Sequence, residues 1–234
     1  MNIPVAKAKK RVVIIGGGFG GLTLAERLDS RMFQVVLIDR YNYHQFQPLL
    51  YQVATSGLAS DSISFPFRKL MRRSRDFYFR LAEVTEVKAN EKRVITTIGD
   101  LTYDYLVIAT GTKTNFFDNE QIRRHALPMK SVEEALNLRN ALLLNLEKAL
   151  NHPKGPERDA LLNVVVVGGG ATGVEIAGAM CEMKRFVVPR DYPDLNACRM
   201  KIYLIEGGSR LLGNMSPEAS ANAKNSSVEW ECVL

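Results

Sequence analysis

The sequence of 234 residues is poor in cysteine, with only Cys181, Cys198 and Cys232. The three are widely spaced, and no two of them form a Cys-x-x-Cys pair. Enzymes that pass electrons to a disulfide need two neighbouring thiols, and zinc sites need ligands at recognisable spacings. We therefore expect neither dithiol chemistry nor a bound metal. Few, scattered cysteines are also typical of a reducing compartment.

Long apolar runs are missing as well. No stretch of 18 uncharged apolar residues is present to span a membrane, and residues 1–7 lack the apolar core of a secretory signal peptide. With 46% hydrophobic residues, the chain can still bury the core of one large or two small globular domains. Any association with a membrane is expected to be peripheral.

The 31 basic residues outnumber the 25 acidic ones, so the net charge is +6. Basic side chains cluster at residues 7–11 and 68–75. Solvated surface is the simplest interpretation of both clusters, attraction to an anionic membrane is a second and binding to nucleic acid a third. Neither cluster is interleaved with aromatic residues or accompanied by a nucleic-acid motif, so no nucleic-acid partner is expected.

One glycine signature occurs twice, 152 positions apart: residues 11–25 align without a gap onto residues 163–177. Each copy follows a β-branched run typical of a buried strand and leads into an apolar segment with helical periodicity, the context that a dinucleotide-binding Gly-x-Gly-x-x-Gly motif requires. The three glycines allow a tight turn, close approach of a pyrophosphate to the helix N-terminus, and helix–strand packing. Those places are filled by Gly16, Gly18 and Gly21, and again by Gly168, Gly170 and Gly173.

An acid at the end of the following strand is expected to accept hydrogen bonds from ribose hydroxyls. Asp39 and Glu206 fill this place, 23 and 38 residues after the first glycine of their copies. The longer second interval contains Pro189 and Pro193, which indicates an inserted turn. Glu206 would repel a 2′-phosphate and favour NADH over NADPH, a preference that nearby Arg210 could soften. Two ordinary βα turns of another α/β protein are the alternative interpretation.

Residues 44–54 follow Asp39 and so begin at the carboxyl edge of the sheet, where ligands bind in open α/β folds. Their mixture of aromatic, amide and apolar groups suits a wall against a planar ring, or equally a loop leading into a surface helix. His44 is expected to act through hydrogen bonds, with general acid or base as the lesser interpretation. Further strands are predicted at residues 77–84, 93–97 and 104–109, the last of which delivers Thr110 and Gly111 to a carboxyl end.

Ser131 and Glu134 form the pattern of a capping box, which predicts the start of a helix that continues through residue 146. Residues 152–159 contain Pro and Gly and are predicted to form a loop, so we place a domain boundary there. The domains expected are 1–125, a helical connection and linker at 126–160, and 161–234.

The two copies differ at one chemically important place, where Thr23 of the first is replaced by Glu175 in the second. An exposed acid early in a helix is stabilised by the helix dipole by about 0.3–1 kcal/mol, which is a purely structural explanation. A role in a redox site is the other interpretation, and it is the one that we favour.

These residues resemble those of the type II NADH dehydrogenases, single-subunit NADH:quinone oxidoreductases of the two-dinucleotide flavoprotein superfamily. The resemblance covers residues from about 11 to 223 and rests on the segments VIIGGGFGGL (13–22), FQPLLYQVA (46–54), YLVIATG (105–111), VGGGATGVE (167–175) and PRDYP (189–193). The glycine motifs belong to the whole superfamily, whereas the Pro-Leu-Leu-Tyr-Gln stretch is more specific. The resemblance implies an α/β fold with two Rossmann-like dinucleotide-binding domains, the second of them incomplete.

By this resemblance the first domain holds FAD and the second holds NADH. Hydride would pass from NADH to the flavin and two electrons from there to a membrane quinone, with Glu175 implied in the flavin and quinone chemistry. The resemblance also implies a cytoplasmic protein peripheral to the inner face of the cell membrane, with a homodimer as one option. The cofactor-binding residues expected are Gly16, Gly18, Phe19, Gly20, Gly21, Asp39, Arg40, His44, Pro48, Val84, Ala109, Thr110, Gly111, Gly168, Gly170, Ala171, Thr172, Gly173 and Glu206.

Members of this family are longer, and residues 225–234 do not resemble their continuation. We therefore expect a truncated form that retains little FAD and has no quinone reductase activity. Two alternatives stay open: another FAD- and NADH-dependent reductase, of the ferredoxin reductase or sulfide:quinone reductase type, or a nucleotide-binding fragment without catalytic activity.

Overall fold

The computed structural model describes residues 1–5, 8–72, 76–195 and 197–229. The predicted α/β class is confirmed. The strands of the described residues are β1 (Lys10–Ile15), β2 (Phe33–Asp39), β3 (Tyr43–Gln45), β4 (Ser64–Pro66), β5 (Phe77–Leu81), β6 (Val84–Lys88), β7 (Arg93–Thr96), β8 (Gly99–Thr102), β9 (Tyr105–Ile108), β10 (Val164–Val167) and β11 (Ile202–Ile205). The helices are α1 (Phe19–Arg27), α2 (Leu50–Ala54), α3 (Phe67–Leu70), α4 (Glu120–His125), α5 (Val132–Asn151), α6 (Pro156–Leu162), α7 (Ala171–Glu182), α8 (Val188–Asp191) and α9 (Pro217–Glu229).

The chain divides into two compact units. The first unit contains the described residues of Met1–Phe46 and Asp61–Asn115. The second contains Gln47–Ser60 and the described residues from Phe116 onward. The short segment that carries α2 therefore belongs with the second unit, although it lies early in the sequence.

A four-stranded parallel sheet in the order β5-β2-β1-β9 forms the centre of the first unit. Its inner strands have continuous buried apolar runs, residues 12–15 of β1 and 35–38 of β2, because both faces of the sheet are covered. Val12 and Ile14 of β1 face α1 and α3, where Phe67 is completely buried. Val13 and Ile15 face the opposite side, which is covered by the antiparallel strands β6, β7 and β8.

The second unit repeats the strand–helix–strand arrangement on a smaller scale. Strands β10 and β11 pair in parallel, and α7 packs on both of them and also on α9. Helix α2 packs against α5 and α7 through three buried side chains, Leu50, Val53 and Ala54. This packing agrees with the prediction of a loop leading into a helix after residue 46, but the face of α2 is buried rather than at the surface.

Helix α5 begins as the sequence predicts. The Ser131 side chain accepts a hydrogen bond from the Glu134 N–H at 3.2 Å, and the Glu134 carboxylate accepts one from the Ser131 N–H at 3.2 Å. The predicted loop at residues 152–159 is wrong in its second half, because α6 begins at Pro156. Proline suits the first turn of a helix, where its missing N–H costs no hydrogen bond.

The inserted turn predicted between α7 and β11 is also wrong in part. A π-helical turn at Met183–Val187 continues α7 directly into α8, and Pro189 lies in the first turn of α8. The additional residues therefore extend the helical segment before the chain turns back towards β11. Unlike Pro156, Pro189 lies inside a continuous helical segment, where its missing N–H removes a backbone hydrogen bond to the preceding turn, and the regular α-helical ladder is interrupted there by the π-helical turn.

Among the described residues, no helix combines the length and the apolar composition needed to cross a membrane. Of the cysteines, Cys181 is buried and unoxidised. Residues 230–234, which include Cys232 and end the segment 225–234, lie outside the described residues. Parts of both basic clusters, residue 7 and residues 73–75, lie outside them as well.

Candidate dinucleotide-binding site

Each glycine signature forms the same backbone turn at the end of its strand. Gly16 and Gly168 adopt positive φ angles of 100° and 108°, which favour glycine strongly. The Gly16 N–H donates to the Ile38 carbonyl at 2.8 Å, and the Gly168 N–H donates to the Ile205 carbonyl at the same distance. The first glycine of each copy thus continues the parallel ladder for one residue and then turns the chain away from the sheet.

The third glycine of each copy provides the space in which the helix packs on the strand. A Cβ atom on Gly21 would overlap the carbonyl oxygen of Gly16, and one on Gly173 would overlap that of Gly168. No side chain fits in either place, because the obstacle is backbone. This geometry gives a physical reason for the glycine that the motif requires.

The second glycine of each copy is open to solvent. A Cβ atom added to Gly18 or Gly170 would meet no other atom within 4 Å. Glycine is therefore not needed at these places for packing within the protein. An open backbone position at the N-terminus of a helix is what close approach of a pyrophosphate would require, so the residues fit the predicted ligand.

The middle glycines, Gly17 and Gly169, were not among the predicted site residues. Both are buried, and each donates its backbone N–H over 2.6 Å to the acid at the end of the next strand, Asp39 or Glu206. The motif leaves this position free, so the only signal in the sequence was that both copies have glycine there. The structure thus connects each glycine turn to its acid directly.

Both acids are also held by a second backbone N–H group. Tyr41 N–H donates to Asp39 at 2.8 Å, and Gly208 N–H donates to Glu206 at 2.6 Å. The hydrogen bonds from Gly208 and Gly169 lower the pKa of the Glu206 carboxyl. Each carboxylate is thereby fixed beside its glycine turn before any ribose is present.

The Arg210 guanidinium donates hydrogen bonds to the carbonyl oxygens of Gly213 at 2.8 Å and Met215 at 3.1 Å. It is therefore engaged by its own loop. This arrangement argues against a role for Arg210 in weakening the preference for NADH over NADPH that Glu206 would set. To reach a 2′-phosphate, the guanidinium would have to leave both carbonyl acceptors.

An apolar side chain covers the middle glycine in each copy. A Cβ atom on Gly17 would overlap the ring of Phe67, and a Cβ atom on Gly169 would lie 2.6 Å from Cδ2 of Leu211. Phe67 comes from α3 and Leu211 from the loop after β11. Different parts of the chain therefore supply the same contact in the two copies.

Several other predicted residues lie at the first turn. A Cβ atom on Gly16 would overlap the carbonyl oxygen of Ala109, and the Ala109 N–H donates to the Ile15 carbonyl at 2.8 Å. Ala109 and Thr110 therefore lie beside the glycine turn, and the expected contact of residues 109–111 with the cofactor stays a prediction. Val84 packs against the buried side chains on the other face of the sheet, among them Ile15 and Ile38.

The remaining expected contacts are less uniform. Phe19 and Gly20 are exposed in the first turn of α1, and Ala171 and Thr172 are exposed at the same places in α7. Arg40 is exposed and lies over the Tyr41 ring at 5.9 Å. Pro48 is exposed and belongs to the second unit.

His44 is buried at 7% exposure and lies against the first glycine turn. Its Nδ1 atom is 2.9 Å from the Gly17 carbonyl oxygen, and its ring meets the Phe19 ring edge to face at 5.2 Å. A carbonyl oxygen only accepts, so Nδ1 carries the proton in this contact. The hydrogen-bonding role favoured from the sequence agrees with this geometry.

Glu175 lies in the second turn of α7, two residues after Gly173. Its side chain reaches solvent, yet partial burial raises the pKa of its carboxyl above the ordinary value. A carboxyl whose pKa is shifted towards neutrality is better suited to deliver or take up protons near neutral pH. Among the described residues, no group of three or more His, Cys, Asp or Glu side chains is arranged to hold a metal ion.

Comparison with known proteins places this arrangement in a family. A family model described as pyridine nucleotide-disulphide oxidoreductase matches residues 10–229, which include both glycine turns and both acids. The chain belongs to the pyridine nucleotide-disulphide oxidoreductase family.

Relatives within the family are NADH:quinone oxidoreductases. The chain is 34% identical over 92% of its length to the type II NADH:quinone oxidoreductase NdhA of Mycobacterium tuberculosis, of which it covers 47%. It is 33% identical over 87% of its length to the mitochondrial external NADH-ubiquinone oxidoreductase 2 of Saccharomyces cerevisiae, of which it covers 39%. The chain thus spans about half the length, or less, of the curated relatives it matches.

Solved structures agree with the fold. NDH2 from Plasmodium falciparum in complex with NADH superposes with a TM-score of 0.90 at 29% identity, over 96% of this chain and 47% of that one. The sulfide:quinone oxidoreductase of Aquifex aeolicus superposes with a TM-score of 0.74 at 22% identity, over 96% of this chain and 50% of that one. The second likeness concerns the fold alone.

Proposed function

We propose that this chain carries the FAD-binding and NADH-binding turns of an NADH:quinone oxidoreductase. The observation that carries the proposal is the pair of glycine turns, each with an open second glycine and an acid fixed by two backbone N–H groups. Similarity to relatives whose names state this activity supports the choice of cofactors and substrate.

In this proposal FAD is held at the first turn by Gly16 to Gly21, with Asp39 on its ribose and the Ala109–Gly111 segment beside it. NADH is held at the second by Gly168 to Gly173 and Glu206. When bound, the flavin supplies two-electron chemistry, accepting a hydride and passing electrons on. The protein contributes the helix N-termini, the fixed carboxylates and the exclusion of a 2′-phosphate at Glu206.

The Glu175 carboxyl is the group that we propose to deliver protons to a reduced quinone. Its raised pKa supports this role, because the acid form persists to higher pH than for an ordinary glutamate. Burial is the cause of the raised pKa, and Glu175 lies in the second turn of α7, beyond the first turn, where a helix dipole acts most strongly. The dipole explanation therefore accounts less well for this residue.

Equilibrium binding tests the proposal most directly. Addition of FAD to the purified chain should give a saturable flavin signal, and addition of NADH under anaerobic conditions should bleach it. Titration is the right measurement because the prediction that the chain retains little FAD through purification still stands. Failure to bind either dinucleotide at millimolar concentration would contradict the proposal, whereas binding without bleaching would favour a nucleotide-binding fragment.

The role of Glu175 is tested by comparing two half-reactions in the FAD-loaded chain by stopped flow. Glu175→Gln should leave reduction of the flavin by NADH nearly unchanged and slow its reoxidation by a water-soluble quinone, which is followed in a single turnover because no steady-state quinone reductase activity is expected of this chain. Glu182→Gln, at the other end of α7, is the matched control and should change neither rate. Equal loss in both half-reactions would assign Glu175 a structural role instead.

Membrane association and dimerisation form a further part of the proposal. A quinone substrate requires access to a bilayer, and the exposed side chains of Arg68, Lys69 and Arg72 support attraction to an anionic surface at the cytoplasmic face. Sedimentation with anionic vesicles, compared with zwitterionic ones, tests the first point, and light scattering at several protein concentrations tests for a dimer.

A further inference from the structure

In both glycine turns the carbonyl group of the middle glycine accepts a hydrogen bond, but the donor differs between the two. The Gly169 carbonyl of the second turn accepts a hydrogen bond from the backbone N–H of Leu212 at 2.8 Å. The Gly17 carbonyl of the first turn faces Nδ1 of His44 at 2.9 Å. A side chain in the first copy therefore replaces a backbone amide in the second.

This carbonyl controls the direction of the peptide that a pyrophosphate would meet. The Gly17 carbonyl and the Gly18 N–H belong to one trans peptide unit, so they point in opposite directions. Whatever holds the carbonyl oxygen in place also sets the direction of the Gly18 N–H. Gly18 is the position that is open to solvent, with no atom within 4 Å of an added Cβ atom.

The preceding peptide unit, which joins Gly16 to Gly17, is fixed by other contacts. The Gly17 N–H donates to Asp39, and the Gly16 carbonyl of the same peptide unit lies against Gly21. Both peptide units of the first turn are thus held by a side chain, one by Asp39 and the other by His44. Without the second contact, the Gly17–Gly18 peptide would be held less firmly, since glycine tolerates a wide range of φ and ψ.

We propose that His44 is a positioning residue of the first dinucleotide site, in which Nδ1–H holds the Gly17 carbonyl and thereby directs the Gly18 N–H towards the ligand pyrophosphate. The inference deepens the proposed function and rests on it for the identity of the ligand. The imidazole makes this contact from a buried position, packed against Phe19. Burial strengthens the hydrogen bond and excludes competing water.

Two variants of similar shape isolate the hydrogen bond. In His44→Asn the side-chain amide places an N–H donor at the δ position, whereas in His44→Leu the same branch carries only methyl groups. Each removes the imidazole ring, so any difference between them reports on the donor. We expect His44→Leu to weaken FAD binding about tenfold or more, as an unpaired buried acceptor typically does, and His44→Asn to restore most of the affinity.

The second turn is an internal control in the same molecule. Leu212 supplies its hydrogen bond through the backbone, so NADH affinity should be the same in both variants and in the original chain. If His44→Leu lowers the affinity for both dinucleotides, it has damaged the fold and not the turn. If His44→Leu binds FAD as tightly as the original chain, the proposal is wrong.

NMR gives a readout that requires no bound flavin and so separates this proposal from the proposed function. The Gly18 amide resonance should differ between His44→Leu and His44→Asn, while the Gly170 amide should be the same in both. Long-range ¹H–¹⁵N correlations of the original chain should show a proton on Nδ1 of His44. A neutral imidazole protonated only at Nε2, or an identical Gly18 resonance in the two variants, would overturn the assignment even in a chain that binds FAD.

Discussion

Asp39 and Glu206 make the same hydrogen bond in the two copies of the glycine signature. Each carboxylate accepts the N–H of the buried middle glycine over 2.6 Å, and each accepts a second N–H from the residue two positions further along the chain. A carboxylate held in this way has little freedom to turn aside when a ribose binds. The acid is thus a part of the turn as well as a ligand-binding residue.

The first prediction concerns the choice between NADH and NADPH. In Glu206→Gln one oxygen is replaced by an NH₂ group, so the side chain can accept from Gly169 or Gly208 but loses its charge. Since hydrogen bonds to a charged acceptor are roughly twice as strong as those to a neutral one, NADH affinity should fall about tenfold or more. NADPH should lose less, because repulsion of its 2′-phosphate disappears. Isothermal titration with both nucleotides measures the ratio, and an unchanged ratio would contradict the assigned role.

The second prediction concerns two glutamates of the second copy, Glu206 after β11 and Glu175 in α7. Their pKa values should be shifted from that of an ordinary glutamate in opposite directions. Hydrogen bonds from Gly208 and Gly169 lower the pKa of Glu206, and burial raises that of Glu175. The Glu206 contacts therefore stabilise the fold above the ordinary pKa of glutamate and are lost as the pH falls through the lower folded value. Carboxyl ¹³C titration of the two residues measures both shifts, and values in the reverse order would contradict the structure.

The change of stability with pH has the opposite sign for Glu175. Burial favours its neutral form, so the folded state becomes less stable as the pH rises from the ordinary value through the raised one. Relative to the original chain, Glu175→Gln should therefore raise the midpoint of urea unfolding more at pH 7 than at pH 4. A Glu175→Gln effect that is the same at both pH values would show that the carboxyl carries no burial penalty.

The third prediction uses three glycines that share a motif but not an environment. Gly21→Ala and Gly173→Ala should each destabilise the chain by about 1–3 kcal/mol, because the new Cβ atom overlaps a backbone carbonyl that cannot move aside. Gly20→Ala is the control: it lies in α1 with open space around it, so it should stabilise the helix by about 0.5–1 kcal/mol. Urea unfolding of the three variants measures the differences, and a loss for Gly20→Ala equal to that for Gly21→Ala would contradict this account.

Sequence reasoning identified the strands on either side of each glycine turn, together with the motif glycines and the acids, because each leaves a local pattern in the chain. It missed the short strands β3, β4 and β8, and the single strand predicted at residues 77–84 is divided between β5 and β6 of two different sheets. It missed Gly17 and Gly169, since their burial depends on Phe67 and Leu211, which arrive from distant parts of the chain. Such contacts have no signature at short range. The identity of His44 as a hydrogen-bonding residue could be inferred, but its partner could not.

The errors in the helical segments have a related origin. The prolines predict a loop at residue 156 and an inserted turn at residue 189, whereas Pro156 begins a helix and Pro189 lies within a helical segment. Proline is compatible with a loop and with a helix start, and only the packing of the following residues decides between them. For α6 that packing is against α5, including the buried Leu162 at its end.

The fourth prediction concerns the start of α5. Ser131→Ala should lower the stability by about 1 kcal/mol, because the Glu134 N–H then loses its acceptor. Ser131→Thr should retain most of the stability, since threonine also caps helices. Thermal unfolding followed by circular dichroism measures both. If the two variants unfold at the same temperature as each other, the capping box does not contribute as the geometry indicates.

The last prediction tests the contact between Gly17 and Phe67 by a double-mutant cycle. Gly17→Ala alone should cost about 1–3 kcal/mol, because its Cβ atom overlaps the Phe67 ring, and Phe67→Ala alone about 3–5 kcal/mol, because a fully buried ring is removed. In the double variant, the methyl group introduced by Gly17→Ala would occupy part of the space that the ring leaves. The double variant should therefore cost less than the sum, with a coupling of about 1 kcal/mol or more.

The second copy provides the comparison. A Cβ atom on Gly169 would meet the flexible end of Leu211 and, at 3.0 Å, also Cβ of Glu206. Leu211→Ala removes only the first of these two obstacles. The destabilisation caused by Gly169→Ala should therefore be reduced less by Leu211→Ala than the destabilisation caused by Gly17→Ala is reduced by Phe67→Ala. Free energies of unfolding from urea titrations give both cycles. Additive effects at Gly17 and Phe67 would show that the ring moves away freely, and the first turn would then owe its shape to Asp39 and His44 alone.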